Sequence, residues 1–284
     1  MLVVIWVLAL LAAAYAVLVA VAYLQQSKLL YLAGSGSGRA GATPGAIGLE
    51  YEEVRFCSPD GQSLHGWFVP AGELHPVVLF LHGNAGHIGD RLRSIRLLHA
   101  LGLNVLIFDY RGYGLSSGTP TEEGTYQDAL AAWNYLHERG FSPQRIIVHG
   151  RSLGAAIGAE LARQHRPAAL ILESAFSSLP DIAAFHYWYV PARALVRFSY
   201  LTEEYVRDVR CPTLVIHSVE DELVPIAQGR RVFERIGAPK RFLLIRGSHN
   251  QGFRASGTRY TEGIRRFLDW AMLDCAPSTA REVS

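Results

Sequence analysis

Short, almost wholly apolar runs alternate with helical patterns along most of this chain, and that alternation is the strongest constraint on its fold. The runs fall at 76–81 (PVVLFL), 104–108 (NVLIF), 145–148 (RIIV), 169–172 (ALIL), 213–216 (TLVI) and 242–245 (FLLI). Stretches of helical character lie between or after them, at 90–100, 126–138, 153–165, 227–236 and 260–273. A strand apolar on both sides of its pleat must be covered on both faces, which suits a parallel sheet flanked by helices. The alternation therefore predicts an α/β fold with a mostly parallel, doubly wound sheet. Two β-rich runs, 49–56 and 63–69, precede the series and are joined by Ser58-Pro59-Asp60-Gly61, a turn signal. An antiparallel hairpin is expected there. Segment 176–210 breaks the rhythm, being too long for an ordinary connection. It carries Phe176, Phe185, Tyr187, Trp188, Tyr189, Phe198 and Tyr200, with Pro180 and Pro191 as breakers. A small helical cap over the carboxyl edge of the sheet is expected, with Phe176, Phe185 and Trp188 as candidate substrate contacts. The same rings would also serve simply to pack the cap down.

Residues 2–24 contain no charged side chain. At 1.5 Å per residue such a helix spans roughly 34 Å, against a hydrocarbon core of about 30 Å. A cleaved signal peptide would have a basic start and a shorter apolar stretch, although A-x-A triplets occur at 14–16 and 20–22. An uncleaved single-pass anchor over 1–26 is the expectation, with Tyr23 and Tyr31 as interfacial aromatics. No Lys or Arg precedes the span, while Lys28 and Arg39 follow it, so the charge rule leans toward a cytoplasmic catalytic domain. Segment 33–48 (AGSGSGRAGATPGAIG) has the composition of a flexible linker. The expected division is an anchor at 1–26, a stalk at 27–48 and one packed domain at 49–284. Half of the 284 residues are hydrophobic, enough for a sizeable core without metal or disulfide staples. Net charge is +2, without long runs of one sign, so no nucleic-acid partner is expected. Cys57, Cys211 and Cys275 have no metal-site spacing, and Cys57 and Cys211 read as small buried apolar residues.

In open α/β sheets, ligands bind beyond the carboxyl ends of the strands, so the residues that follow each apolar run matter most. After 145–149 comes Gly150-Arg151-Ser152-Leu153-Gly154, leading into a small-residue helical run. Strand, Gly-x-Ser-x-Gly and helix together form the context of a nucleophile elbow, with a serine at the apex of a sharp turn. A serine hydroxyl is a weak nucleophile at neutral pH. It needs a base, and the base needs a group that fixes its tautomer. His249 follows the last run and lies beyond the candidate acids, which gives the chain order Ser, acid, His. Glu220, Asp221 and Glu222 are adjacent after 213–216, and Glu173 ends a neighbouring run. Asp221 is taken as the acid, with Glu173 as the alternative. A tetrahedral oxyanion needs at least two preorganised donors. The Leu153 amide supplies one, and the turn His82-Gly83-Asn84-Ala85-Gly86 supplies another, assigned to the Asn84 amide.

Taken together, HGNAG, FDYRGYGLSSG, GRSLG, the D-x-x-V-P of 221–225 and GSHN resemble the α/β-hydrolase superfamily. More narrowly they resemble its Bem46-like branch of membrane-associated serine hydrolases and depalmitoylases. The resemblance covers about 49–273. It implies Ser152 as nucleophile, Asp221 as acid, His249 as base and the Asn84 and Leu153 amides as oxyanion donors. The branch's eukaryotic depalmitoylases are tethered by lipidated, cysteine-rich N-termini, for which this chain offers an apolar helix. The expected activity is hydrolysis of an ester or thioester, with an apolar acyl substrate near the bilayer and no metal or organic cofactor. A peptidase of the same fold and a non-catalytic binding protein on that scaffold are the alternatives. Acidic cap residues (Asp181, Glu203, Glu204) would support the peptidase.

Overall fold

The structure is a computed structural model and describes residues 1–33 and 41–273. Eight strands are present among them: β1 (Glu52–Cys57), β2 (Ser63–Val69), β3 (Val77–Leu81), β4 (Asn104–Phe108), β5 (Ile146–Arg151), β6 (Ala169–Glu173), β7 (Thr213–Ser218) and β8 (Lys240–Ile245). The helices are α1 (Leu2–Leu24), α2 (Gln26–Leu30), α3 (Leu92–Ala100), α4 (Glu122–Glu138), α5 (Leu153–His165), α6 (Leu179–His186), α7 (Ala192–Leu195), α8 (Thr202–Tyr205), α9 (Ile226–Arg235), α10 (Gly252–Ala255) and α11 (Gly257–Leu273).

All strands form one sheet in the order β1-β2-β4-β3-β5-β6-β7-β8. β2 pairs antiparallel with both β1 and β4, and every other neighbouring pair is parallel. The apolar runs behave as their composition requires. On β3, Val77, Leu79 and Leu81 enter one core and Val78 and Phe80 the other. α4, α5 and α9 cover the first face, while α3 and α11 cover the second. The direction of winding reverses at β3, which has β4 on one side and β5 on the other. The crevice at such a reversal is where this class of sheet binds ligands. Leu81 is in register with Gly150 across it.

Segment 176–210 does form a cap, built from the short helices α6, α7 and α8. The stalk is shorter than its composition suggested. Residues 26–30 are helical and Tyr31 is buried in the core, where its hydroxyl lies 2.8 Å from that of Tyr200. Residues Pro44–Ile47 form a turn of 3-10 helix with Pro44 buried. An apolar Leu-Leu-Tyr sequence at 29–31 outweighs the glycine-rich composition that follows it. The middle of the expected stalk, 34–40, lies outside the described residues, as does Cys275. Cys211 is buried, and desolvation pushes its thiol up to about 12. Cys57, expected to be buried, is exposed at the end of the edge strand β1. α1 is long and apolar enough to cross a membrane, and none of its residues is buried.

Candidate active site

The chain crosses from β5 to α5 through one residue, Ser152, whose backbone sits at φ 53° and ψ −116°. That is a region L-residues rarely adopt, at a cost of order 1–3 kcal/mol. Two hydrogen bonds pin the turn: Ser152 N–H donates to the Glu173 carbonyl at 2.8 Å and Ala155 N–H to the Ser152 carbonyl at 2.9 Å. The flanking glycines are sterically required. A Cβ on Gly150 would fall 2.1 Å from the Gly154 carbonyl oxygen, and one on Gly154 would fall 2.1 Å from that of Leu81. Helix and strand can approach this closely only without side chains. Gly150→Ala is therefore expected to lower the denaturation midpoint sharply. Its magnitude should match the upper tail of single-substitution effects, about 4 kcal/mol or more in chemical unfolding.

The turn after β3 lies directly against the serine. A Cβ on Gly83 would stand 3.3 Å from the Ser152 Cβ, so the backbone of Asn84 follows at the edge of the site. Leu153 is the first residue of α5, and its N–H has no acceptor within the helix. The Asn84 side chain has a role that the sequence did not reveal. Its Oδ1 accepts from Tyr113 Oη (2.8 Å), Ala85 N (2.9 Å) and Leu32 N (3.2 Å), and its Nδ2 donates to the Leu30 carbonyl. The side chain is thus consumed in bracing the turn against residues 30–32. Burial, with Arg91 nearby, holds His82 down at about 4, so its ring is neutral at pH 7. His82 Nδ1–H donates to the Gly83 carbonyl at 2.7 Å.

In the loop after β8, His249 Nδ1 lies 2.9 Å from each carboxylate oxygen of Asp221. Burial raises the Asp221 pKa, but the His249 bond and charge, the Val224 amide and the His217 ring outweigh it, and the net shift is downward. Asp221 Oδ1 also accepts from the Leu223 and Val224 amides at 3.1 and 2.7 Å. The three adjacent acids divide the work. Glu222 accepts the His249 amide at 2.9 Å, Glu220 accepts the Gly247 amide at 2.9 Å, and only Asp221 faces the ring. Arg151, unremarked in the sequence beyond its place in the pentapeptide, reaches across the gap. Its Nη2 donates to the His249 carbonyl at 2.8 Å, and its guanidinium lies 5.1 Å over the Phe253 ring. The residue beside the serine thus holds the histidine loop.

Glu173, the alternative acid, is turned elsewhere. Its carboxylate accepts from Tyr260 Oη at 2.7 Å, lies 3.2 Å from His149 Nε2 and 3.6 Å from Arg151 Nε. Burial raises its pKa, but Arg151, His149 and Tyr260 outweigh it and hold the carboxyl at about 2, below its ordinary 4.5. A depressed carboxyl stabilises the fold above its unfolded pKa, and that contribution is lost as pH falls through the folded value. In urea unfolding, stability should therefore fall by roughly 3 kcal/mol between about pH 4.5 and 2 on this account. Glu173→Gln should remove that portion of the acid dependence. An unchanged acid limb in the variant would mean that other carboxyls carry it.

None of the three aromatics expected to contact substrate lines the cavity that the cap encloses. Phe176 is buried in the core, packed beneath the cap, whereas Phe185 and Trp188 project outward, 54% and 82% exposed. The cavity is lined instead by Leu179, Ile182, Tyr187 and Tyr189 of the cap region, by part of α1, and by Asn84. Among the described residues no group of three or more His, Cys, Asp or Glu side chains is placed to hold a metal.

Residues 72–197 match the family model described as serine aminopeptidase, S33. The uncharacterized protein Rv2307c of Mycobacterium tuberculosis is 38% identical over 86% of this chain and 87% of its own length. The alpha/beta hydrolase domain-containing protein WAV2 of Arabidopsis thaliana is 34% identical, with 69% of this chain and 70% of that protein aligned. Lysophosphatidylserine lipase ABHD12 of Danio rerio is 34% identical over 56% of this chain, which spans about half of the lipase, 47%. Among solved structures, the Pyrococcus furiosus esterase Pf2001 superposes with a TM-score of 0.69 at 22% identity, covering 81% of this chain and 94% of the esterase. That likeness establishes the fold. Sheet order, the strained turn after β5 and relatives aligned over most of their length converge on one assignment: the chain is a hydrolase of the α/β-hydrolase family.

Proposed function

We propose that this protein is a membrane-anchored serine hydrolase that cleaves a carboxylic ester or thioester bearing an apolar acyl group. The observation that carries the reading is the His249–Asp221 pair, with Nδ1 2.9 Å from both oxygens, tied through Arg151 to the strained turn at Ser152. Ser152 Oγ attacks the acyl carbonyl carbon while His249 Nε2 takes its proton, and the Leu153 and Asn84 amides bind the oxyanion. The tetrahedral adduct collapses, and the alcohol or thiol departs with the proton from His249. Water then attacks the acyl-enzyme, giving its proton to His249, and the free acid leaves as the proton returns to Ser152. Asp221 holds the Nδ1–H tautomer and stabilises the imidazolium. A fluorophosphonate probe should label the full chain covalently on the peptide containing Ser152. Labelling on another serine, or none, would overturn the reading.

The family model's description raises an aminopeptidase as the second reading. Such an enzyme needs a carboxylate for the substrate's amino terminus. Asp181 is already paired with Arg193 (2.8 Å) and Arg231 (2.9 Å), and Glu203 with Arg231 (2.6 Å) and Arg235 (2.8 Å). Glu204, the third acidic cap residue, is exposed on α8. With two of the three carboxylates already paired, ester substrates are favoured, and a peptide panel run beside p-nitrophenyl esters discriminates.

Anchoring rests on α1, uncharged over Leu2–Leu24, and the Lys28 and Arg39 charges favour a cytoplasmic domain. Full-length protein should remain in the membrane fraction through carbonate washing. Recovery of soluble chain lacking its first two dozen residues would instead identify a cleaved signal sequence.

A further inference from the structure

We propose that α1 is a wall of the substrate site: its last two turns and the cap enclose an acyl-chain slot that leads from the bilayer to Asn84. The inference rests on the ester-hydrolase reading above and names where its substrate resides. A tether needs no contact with the domain it carries, yet α1 is fastened to the cap at successive levels. Tyr15 Oη donates to the Tyr189 carbonyl at 3.0 Å, and the Arg197 guanidinium lies 5.1 Å over the Tyr23 ring. Just beyond the helix, Gln26 donates to the Leu195 carbonyl at 2.7 Å and accepts from the Arg197 amide at 2.9 Å. Val19 and Ala22 are the α1 residues with partial cover, and both line the cavity between helix and cap.

That cavity has a volume of about 310 Å³, at the lower end of the range for small-molecule sites, roughly 300–1,000 Å³. Leu18, Val19 and Ala22 form one side, Ile182 and Ala183 the other, and Asn84 stands at the catalytic end. Its amide and imidazole side chains are already engaged by protein. Gln26 serves Leu195 and Arg197, His186 Nε2 meets the Leu223 carbonyl at 2.7 Å, and Asn84 braces its own turn. Tyr23, Tyr187 and Tyr189 add rings that carry hydroxyls, and the rest of the lining is mainly hydrocarbon, which favours an acyl chain over a headgroup or a peptide. Asn84 follows Gly83, whose Cβ position is 3.3 Å from the Ser152 Cβ. A chain in the slot would therefore bring its carbonyl to the proposed oxyanion amides.

The slot's depth follows from the helix. Tyr15 precedes the end of α1 by nine residues, about 13 Å along the axis, so the cap meets the span within the leaflet. Its tip carries exposed Phe185, Tyr187, Trp188 and Tyr189, large rings whose apolar area the leaflet would cover. A lipid-borne ester can thus slide its acyl chain laterally along α1 without passing through water.

The test uses the full chain in phosphatidylcholine vesicles. A long-chain alkyl fluorophosphonate with a diazirine at its far end is attached to Ser152 and photolysed. Crosslinks should map to residues 15–24, and crosslinks confined to other segments or to lipid would overturn the slot. Ala22→Trp should lower the ratio of kcat/KM for palmitoyl over acetyl p-nitrophenyl ester at least tenfold. Val7→Trp, higher on the same helix, should leave that ratio unchanged. An undiminished ratio in Ala22→Trp also overturns the proposal. Failure of a short fluorophosphonate to label Ser152 in the wild type would instead refute the serine-hydrolase reading, and the slot with it.

Discussion

Asp221→Asn is expected to lower kcat on a short p-nitrophenyl ester by about 10⁴-fold with the fold intact. The size of the effect follows from hydrogen-bond bookkeeping around one side chain. Oδ1 of Asp221 accepts from the Leu223 and Val224 amides at 3.1 and 2.7 Å, and those donors need an acceptor. An asparagine must leave its carbonyl oxygen there and turn its NH₂ toward His249. His249 Nδ1 would then have to accept, which moves the ring proton to Nε2, the nitrogen that must take the serine proton. The variant loses both the competent tautomer and the negative charge that favours the imidazolium. Glu173→Gln should cost less than about tenfold in kcat, because its partners are His149, Tyr260 and Arg151 and not His249. Circular dichroism on both proteins separates lost chemistry from lost structure. A reversed order of losses would place the acid at the end of β6.

The sheet was legible because its signal is coarse and redundant. Five parallel partnerships each demand strands covered on both faces, and 104–108 reads as NVLIF for that reason. The Ser152 turn was legible because strain and close approach admit few residues, so glycines at 150 and 154 carry geometric information. What stayed hidden depended on direction in space. Glu173 ends β6 and Asp221 follows the end of β7 by three residues, and nothing local tells which carboxylate meets His249. Their separation appears only when β6 presents its side chain to Tyr260 of α11, eighty-seven residues on. The linker was misjudged for a related reason. Glycine-rich composition cannot show that Tyr31, just before it, has a buried partner in Tyr200. The aromatic cap residues show the same limit. Composition counted the rings, while the loop at 187–191 decides that Trp188 faces outward and Tyr187 lines the cavity.

Ser152→Ala and Ser152→Gly should each lower kcat on the order of 10⁶-fold, the scale of losing a nucleophile whose partners act with it as a unit. They should differ in stability, and that difference tests where the strain of the turn resides. At φ 53° and ψ −116°, alanine carries the same Cβ conflict as serine and should retain the cost of about 1–3 kcal/mol. Glycine relieves the conflict but gives its unfolded chain more freedom, a penalty of about 0.5–1 kcal/mol. The glycine variant should therefore be about 1 kcal/mol more stable than the alanine variant in urea unfolding, from the balance of those two terms. Both should be unreactive toward fluorophosphonate. The conformation itself is held from outside the residue, by the Glu173 carbonyl on its N–H and by Ala155 on its own carbonyl. Stability is thus given up at the one position where a hydroxyl must stand clear of the helix that follows it. If the glycine variant proved less stable than the alanine variant, the turn would be relaxed as built. Exposure of the hydroxyl would then owe nothing to stored strain, and the close approach of Gly150 to Gly154 would be its sole cause.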